Sequence, residues 1–279
     1  MIKVTQVFCA VVFLLASNLP AFGLEKSDQI RIHVLDCGNI EVTDLAVLSD
    51  TGEYAGKQAS VKDPCFLIQH PKGLLLWDTG LGDYRLGKEP ESMGPFRLGV
   101  SVSLKSQLEK LGVTAQDITF IAFSHLHGDH IGNADQFTRS TWLWQEKELA
   151  SFLAKGNPQG IRSQLLVAQK KALKQVFSGD HDVFGDGRVQ ILSTPGHTAG
   201  HQSLLVKLDS GPVILSGDLY HLKANREHER MPVFNFSRAE TLASMRRVET
   251  LAKNLKARVI IQHDPEEYAS HPKFPEYLH

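Results

Sequence analysis

Ile118-Thr119-Phe120-Ile121-Ala122-Phe123-Ser124-His125-Leu126-His127-Gly128-Asp129-His130 decides the reading of this chain. Its first half, behind Asp117, is a short continuous apolar run of the buried-strand type. Its second half packs four metal-capable groups, His125, His127, Asp129 and His130, into six residues. That spacing is not amphipathic-helix decoration. It requires a tight loop that aims all four side chains inward, and imidazole with carboxylate suits Zn²⁺ and other divalent first-row metals.

The same arrangement recurs along the chain. Val189 to Leu192 leads to Thr194-Pro195-Gly196-His197, and Val213 to Leu215 leads to Ser216-Gly217-Asp218. Arg258 to Ile261 leads to Gln262-His263-Asp264, and Leu74 to Trp77 leads to Asp78-Thr79-Gly80. Strand ends are where loops gather functional groups on a rigid frame, so five strands ending in His or Asp point to one convergent site. His125, His127, Asp129, His130, His197, Asp218 and His263 make seven ligands. One zinc needs three or four, so seven suffice for two metals sharing a carboxylate.

Around these runs, β-rich and helix-like stretches alternate, the pattern of an α/β fold. Ile30 to Val34 alternates, and Gly73 to Trp77 is a buried-type strand. Leu104, Leu108 and Leu111 share a helix face, and Ser237 with Glu240 has capping-box spacing that opens a helix to about Lys256. With 279 residues, 42% hydrophobic and 22% charged, the chain can bury a large core. Lys plus Arg is 30 against 31 for Asp plus Glu, which gives no electrostatic footprint for nucleic acid or an anionic membrane. Thirteen His against three Cys points to histidine chemistry rather than a disulfide scaffold.

Residues 1–23 read as a secretory signal: Lys3, an apolar run from Val7 to Ala16, then Pro20 and the small-residue pattern Ala21-Phe22-Gly23. Ten apolar residues make only ~15 Å of helix, short of a bilayer core of about 30 Å. Residues 24–279 then form one exported domain, periplasmic or secreted, with no membrane contact after cleavage. Cys37 and Cys65 remain, and the sequence leaves open whether they pair.

The motifs Ser124-His125-Leu126-His127-Gly128-Asp129-His130-Ile131-Gly132, Thr194-Pro195-Gly196-His197-Thr198-Ala199-Gly200-His201, Gly217-Asp218 and the late His263 resemble the metallo-β-lactamase superfamily. The resemblance extends over nearly all of residues 24–279. It implies an αββα sandwich, two facing mixed sheets flanked by helices, with the metals at one sheet edge. It further implies that His125, His127 and His197 hold one metal and Asp129, His130 and His263 the other, with Asp218 bridging two divalent ions, Zn²⁺ by expectation. Within the superfamily the chain looks most like the N-acyl-homoserine lactonases, from Pro195 to Leu204, the bridging Asp218, and separations of 72, 21 and 45 residues between His125, His197, Asp218 and His263.

That likeness implies ring opening of a small lactone by a metal-bridging hydroxide, with Asp129 carrying the proton to the leaving oxygen. Lactonases of this kind carry a Tyr three residues after the bridging Asp. Here that position is His221, so either Tyr220 shifts into the role, or His221 takes it, or the substrate differs, and Tyr220 also reads as a plain core residue. The rival substrates are a thioester, a phosphotriester and, less favoured because Asp218 is present, a β-lactam. No Gly-x-Ser-x-Gly elbow supports a serine hydrolase. A homodimer is compatible with this reading. Asp78 is expected to buttress the His-rich loop and His201 to lie behind the ligands. Residues 82–100 read either as a lid over an acyl chain or as a surface loop, and Lys170, Lys171 and Lys174 as a solvated helix face.

Overall fold

A computed structural model describes residues 24, 27–156 and 161–279, so the leader assigned to residues 1–23 lies outside the described residues. In chain order the strands and helices are β1 (Arg31–Val42), β2 (Ala59–His70), β3 (Gly73–Trp77), β4 (Glu91–Met93), β5 (Phe96–Gly99), α1 (Leu104–Lys110), β6 (Ile118–Ala122), α2 (Gly128–Ile131), β7 (Thr141–Gln145), α3 (Glu146–Phe152), α4 (Ser163–Lys171), β8 (Leu173–Phe177), β9 (His181–Asp182), β10 (Val189–Ser193), β11 (Gln202–Leu208), β12 (Gly211–Leu215), α5 (Lys223–His228), α6 (Arg238–Leu255), β13 (Arg258–Ile260), α7 (Pro265–Ser270) and β14 (Tyr277–Leu278).

One mixed sheet runs β4-β5-β1-β2-β3-β6-β7-β8, with β14 also paired to β1, and the other runs β13-β12-β11-β10-β9. Successive strand residues point to opposite faces, and the core follows that alternation. Phe66, Ile68, Leu75 and Trp77 of the first sheet meet Leu204, Val206, Val213 and Leu215 of the second in one inter-sheet cluster. The intervening residues face outward: Leu67, Leu76 and Ile121 pack on Leu104 and Leu108 of α1, Phe152 of α3 and Leu165 of α4. On the far side, Leu205, Ile214 and Val259 pack on Met245, Val248 and Ala252 of α6. The result is four layers, helices, sheet, sheet, helices, the αββα sandwich expected. Among the described residues no helix is long and apolar enough to cross a membrane.

Strand direction explains why the ligands meet. β3 and β6 are parallel neighbours, as are β12 and β13. β10 and β12 each run antiparallel to β11, so they share a direction. Within each sheet these C-terminal ends lie at one edge, and the donor side chains of the two sheets meet there.

One reading is refined and one corrected. Residues 82–100 are more than a surface loop: Asp83–Arg85 forms a 3-10 turn, β4 and β5 form a hairpin that extends the first sheet along β1, and Tyr84, Met93, Phe96 and Leu98 line the cavity described below, where a lid would lie. Lys174 is not on a helix, because α4 stops at Lys171 and the chain enters edge strand β8, where Lys174 is exposed. Cys37 and Cys65 sit on the paired β1 and β2 and are joined by a disulfide, with a Cα–Cα distance of 5.7 Å.

Candidate metal centre

The loop after β6 is compressed into a single helical turn, α2, with His127 at its N-cap. It sends His125, Asp129 and His130 toward the opposite sheet. The Thr194–His201 loop arrives from β10. Gly196 there adopts φ +138°, and a Cβ on it would fall 2.2–2.6 Å from Thr241 on α6, so only glycine lets this loop lie against the helix.

Two groups of donor atoms result. His125, His127, His197 and Asp218 each offer one atom within 4.8 Å of the others, and Asp129, His130 and His263 form a second such group. Asp218 stands between them. Its Oδ2 lies 3.6 Å from His125 Nε2 and 3.4 Å from His197 Nε2, while its Oδ1 lies 3.3 Å from His130 Nε2 and 3.0 Å from His263 Nε2. Asp129 Oδ2 is 3.7 Å from His130 Nε2 and 3.9 Å from His263 Nε2.

These residues fit a pair of cations. His127 Nδ1 faces His125 Nε2 at 2.8 Å and His197 Nε2 at 3.1 Å, so three imidazole nitrogens crowd one point beside a carboxylate. Asp218 Oδ1 and His130 Nε2 are buried, and the close contacts between them and with His263 Nε2 lack hydrogen-bond geometry. Burial lowers the pKa of His125, His127 and His197, which keeps them in the neutral, ligating form. Burial also opposes charge on His130 and His263, but Asp218 and Asp129 outweigh it, lifting His130 well up and His263 to about 9. The carboxylates thus call for positive charge, which protons or metal ions can supply.

The outer partners set the tautomers. His130 Nδ1 bonds Asp78 Oδ2 at 2.9 Å, and His263 Nδ1 donates to the Lys62 carbonyl at 2.6 Å, which turns both Nε2 atoms toward Asp218. Asp78, fully buried with φ +59°, also accepts from Ser124 N–H at 2.6 Å and Gln262 Nε2 at 2.8 Å. His201 accepts from Asp218 N–H at 3.0 Å and lies behind the ligands.

The two candidates after Asp218 separate. His221 is buried at the centre, Nε2 3.2 Å from Asp218 Oδ2. Tyr220 points away from it: its ring packs with Met245 and Val248, and its hydroxyl donates to Glu249 Oε1 at 2.9 Å. Tyr220 is therefore a core residue and does not line the cavity described below, because the extended backbone there sends adjacent side chains to opposite sides.

A cavity of about 580 Å³ opens onto the donors. Asp129, Asp218, His221 and His263 line it together with Ile40, Val42, Leu98, Leu165 and Phe234. The sequence reading singled out neither Tyr84, Arg85 nor Arg162 of this wall. Arg85 and Arg162 place their guanidinium carbons 4.5 and 4.1 Å from the Tyr84 ring centroid, a cation–π pair brought together from segments far apart in sequence. Glu148 was missed too. Buried on α3, it bonds the 125–127 and 197–200 loops, and nothing in Glu146-Lys147-Glu148 marks it out from its exposed neighbours Glu146 and Lys147.

A metallo-beta-lactamase superfamily model matches residues 64–263. The N-acyl homoserine lactonase AttM of Azorhizobium caulinodans is 28% identical over 268 residues, covering 89% of this chain and 98% of the relative. The N-acyl homoserine lactonase of a Bacillus species is 31% identical over 222 residues, 77% of this chain and 86% of the relative. A solved N-acyl homoserine lactone hydrolase, with N-hexanoyl-L-homoserine bound at its catalytic metal centre, superposes with a TM-score of 0.78 at 25% identity, covering 90% of this chain and all of that one. With the fold, the paired donor clusters and these likenesses agreeing, the chain belongs to the metallo-beta-lactamase superfamily.

Proposed function

We propose that this protein is a di-metal hydrolase that opens the ring of N-acyl homoserine lactones. The observation that carries the proposal is the meeting of seven metal-capable side chains with a largely apolar cavity of about 580 Å³. That volume lies within the range of small-molecule sites and has room for a lactone head at the donors and an acyl chain along the wall. The names of the relatives point the same way.

In this reading His125, His127 and His197 hold one ion, Asp129, His130 and His263 the other, and Asp218 both. Two Zn²⁺ ions bound there would supply a Lewis acid for the ester carbonyl and a water acidified toward neutral pH. Asp129, on the cavity wall and partly open to it, moves the proton from attacking water to leaving oxygen. His221 stands where it can donate from Nε2 to the lactone carbonyl and orient it. Ile40, Val42, Leu98 and Leu165 take the chain and exclude water. We further assign residues 1–23 as an export signal and 24–279 as the working domain; the Cys37–Cys65 disulfide suits an oxidising compartment.

The test is hydrolysis by residues 24–279, metal-replete, of short- and long-chain acyl-homoserine lactones, a simple γ-lactone, a phosphotriester, a glutathione thioester and a carbapenem. Acyl lactone turnover at kcat/KM of at least ~10⁴ M⁻¹s⁻¹, lost in Asp218→Ala, is the expected result. Faster turnover of the phosphotriester, thioester or carbapenem would replace the substrate assignment and leave the two-metal site standing.

A further inference from the structure

Glu148 lies on the first turn of α3 with 2% of its surface exposed. Its Oε1 accepts from the Leu126 backbone N–H at 2.8 Å. Its Oε2 accepts from the Gly200 N–H at 2.8 Å and the Thr198 hydroxyl at 2.9 Å. Leu126 sits between His125 and His127, and Thr198 directly follows His197. One carboxylate therefore ties together the two loops that carry all three imidazoles of the first donor cluster. It bonds neither Asp129, His130 nor His263 of the second. We propose that Glu148 is a positioning residue that sets the spacing of the 125–127 and 197–200 loops, and through it the metal affinity of the first cluster alone.

The chemistry requires a carboxylate at this point. Three donors converge, and an ionised carboxylate is acceptor-only with about four lone-pair sites, whereas a glutamine amide would turn N–H against N–H. The close approach is built into the backbone as well. A Cβ on Gly200 would fall 2.5 Å from the Glu148 backbone nitrogen and 2.9 Å from its Cα, so the loop reaches the carboxylate only with glycine there. Asp78 serves other groups, Ser124, His130 and Gln262, which places it behind the second cluster. Each cluster thus has its own buried carboxylate, supplied by a different part of the chain.

This inference rests on the reading that both clusters hold metal. Its test is competition between a chromogenic chelator and the full chain for Zn²⁺, a readout independent of turnover. The wild type is expected to bind two equivalents. Glu148→Gln is expected to leave one site at wild-type affinity and weaken the other by about 10–100-fold, the usual cost of removing an outer-shell partner. Thr198→Val, which removes one of the three bonds at almost constant volume, is expected to weaken the same site by about fivefold. It keeps the inference testable should Glu148→Gln fail to fold. In a His263→Ala background, which disables the second cluster, either variant should weaken the single remaining site. Two unchanged sites in both variants, or equal weakening of both sites, would overturn the role given to Glu148 while leaving the metal reading intact. A wild-type chain that binds no Zn²⁺ would overturn both.

Discussion

Asp78→Asn separates fold from metal binding more cleanly than any other single change. Asp78 sits in left-handed backbone at φ +59°, a region Asn tolerates as well as Asp does. One amide oxygen can still take the Ser124 N–H now bonded at 2.6 Å. The amide nitrogen then stands where Oδ2 met Gln262 Nε2 and His130 Nδ1. Gln262 keeps the Pro64 carbonyl at 3.1 Å, so its loss is partial and fold stability should fall by only ~1 kcal/mol. His130 fares worse: to bond the new amide it must shift its proton from Nδ1 to Nε2, the nitrogen facing Asp218. That removes the lone pair a metal needs and should weaken the second cluster 10–100-fold, about 1.4–2.7 kcal/mol. Asp78→Ala takes the acceptor from the Ser124 N–H and one bond each from Gln262 Nε2 and His130 Nδ1, which keep the Pro64 carbonyl and Ser124 Oγ, so it should cost about 2–5 kcal/mol of stability, well above the cost of Asp78→Asn. Denaturant melts of the metal-free chain and chelator competition read the two effects separately. An Asp78→Asn protein that loses more than ~3 kcal/mol of stability yet binds both metals at wild-type affinity would refute this reasoning.

Three other outcomes follow from the structure. Replacing Cys37 and Cys65 together by Ser opens a cross-link 28 residues apart and should cost about 3–4 kcal/mol in denaturant melts, with the oxidised wild type as reference. Burial, with Arg258 and Lys273 nearby, lowers His271 to about 4, so the unfolded chain takes up the proton first as pH falls. The stability it contributes is therefore complete above about pH 6.5 and lost toward pH 4; His271→Gln should flatten that part of the pH profile by about 1–3 kcal/mol. His221→Ala should lower kcat by about 10²-fold with both metals retained by direct metal analysis, and His221→Tyr should recover part of the loss.

The four ligand-bearing strands, the strand that ends at Asp78 and helix α6 were legible because each is a local pattern. β6, for example, is a short apolar run, and the Ser237–Glu240 capping box does open α6, with Ser237 accepting from the Glu240 N–H. The candidate centre was legible for a related reason, since four donors follow β6 at once and each of the other three follows its own strand. What escaped depends on long-range placement. Nothing local distinguishes Glu148 from Glu146, yet α3 buries the first against two loops and leaves the second exposed. Arg85 and Arg162 meet only because the cavity wall is assembled from the Asp83–Arg85 turn and the start of α4. Tyr220 and His221 could not be told apart by spacing, since which of two adjacent side chains faces the centre is set by the turn after β12. The Cys37–Cys65 bridge likewise depends on the register of β1 against β2, which composition does not carry.

The most direct test of the central claim is a titration of metal-free protein with Zn²⁺ while ring opening of a long-chain N-acyl homoserine lactone is followed by proton release. Activity should rise to a break at two equivalents per chain and stay absent in Asp218→Ala. A break at one equivalent, or two bound metals with no ring opening, would contradict it.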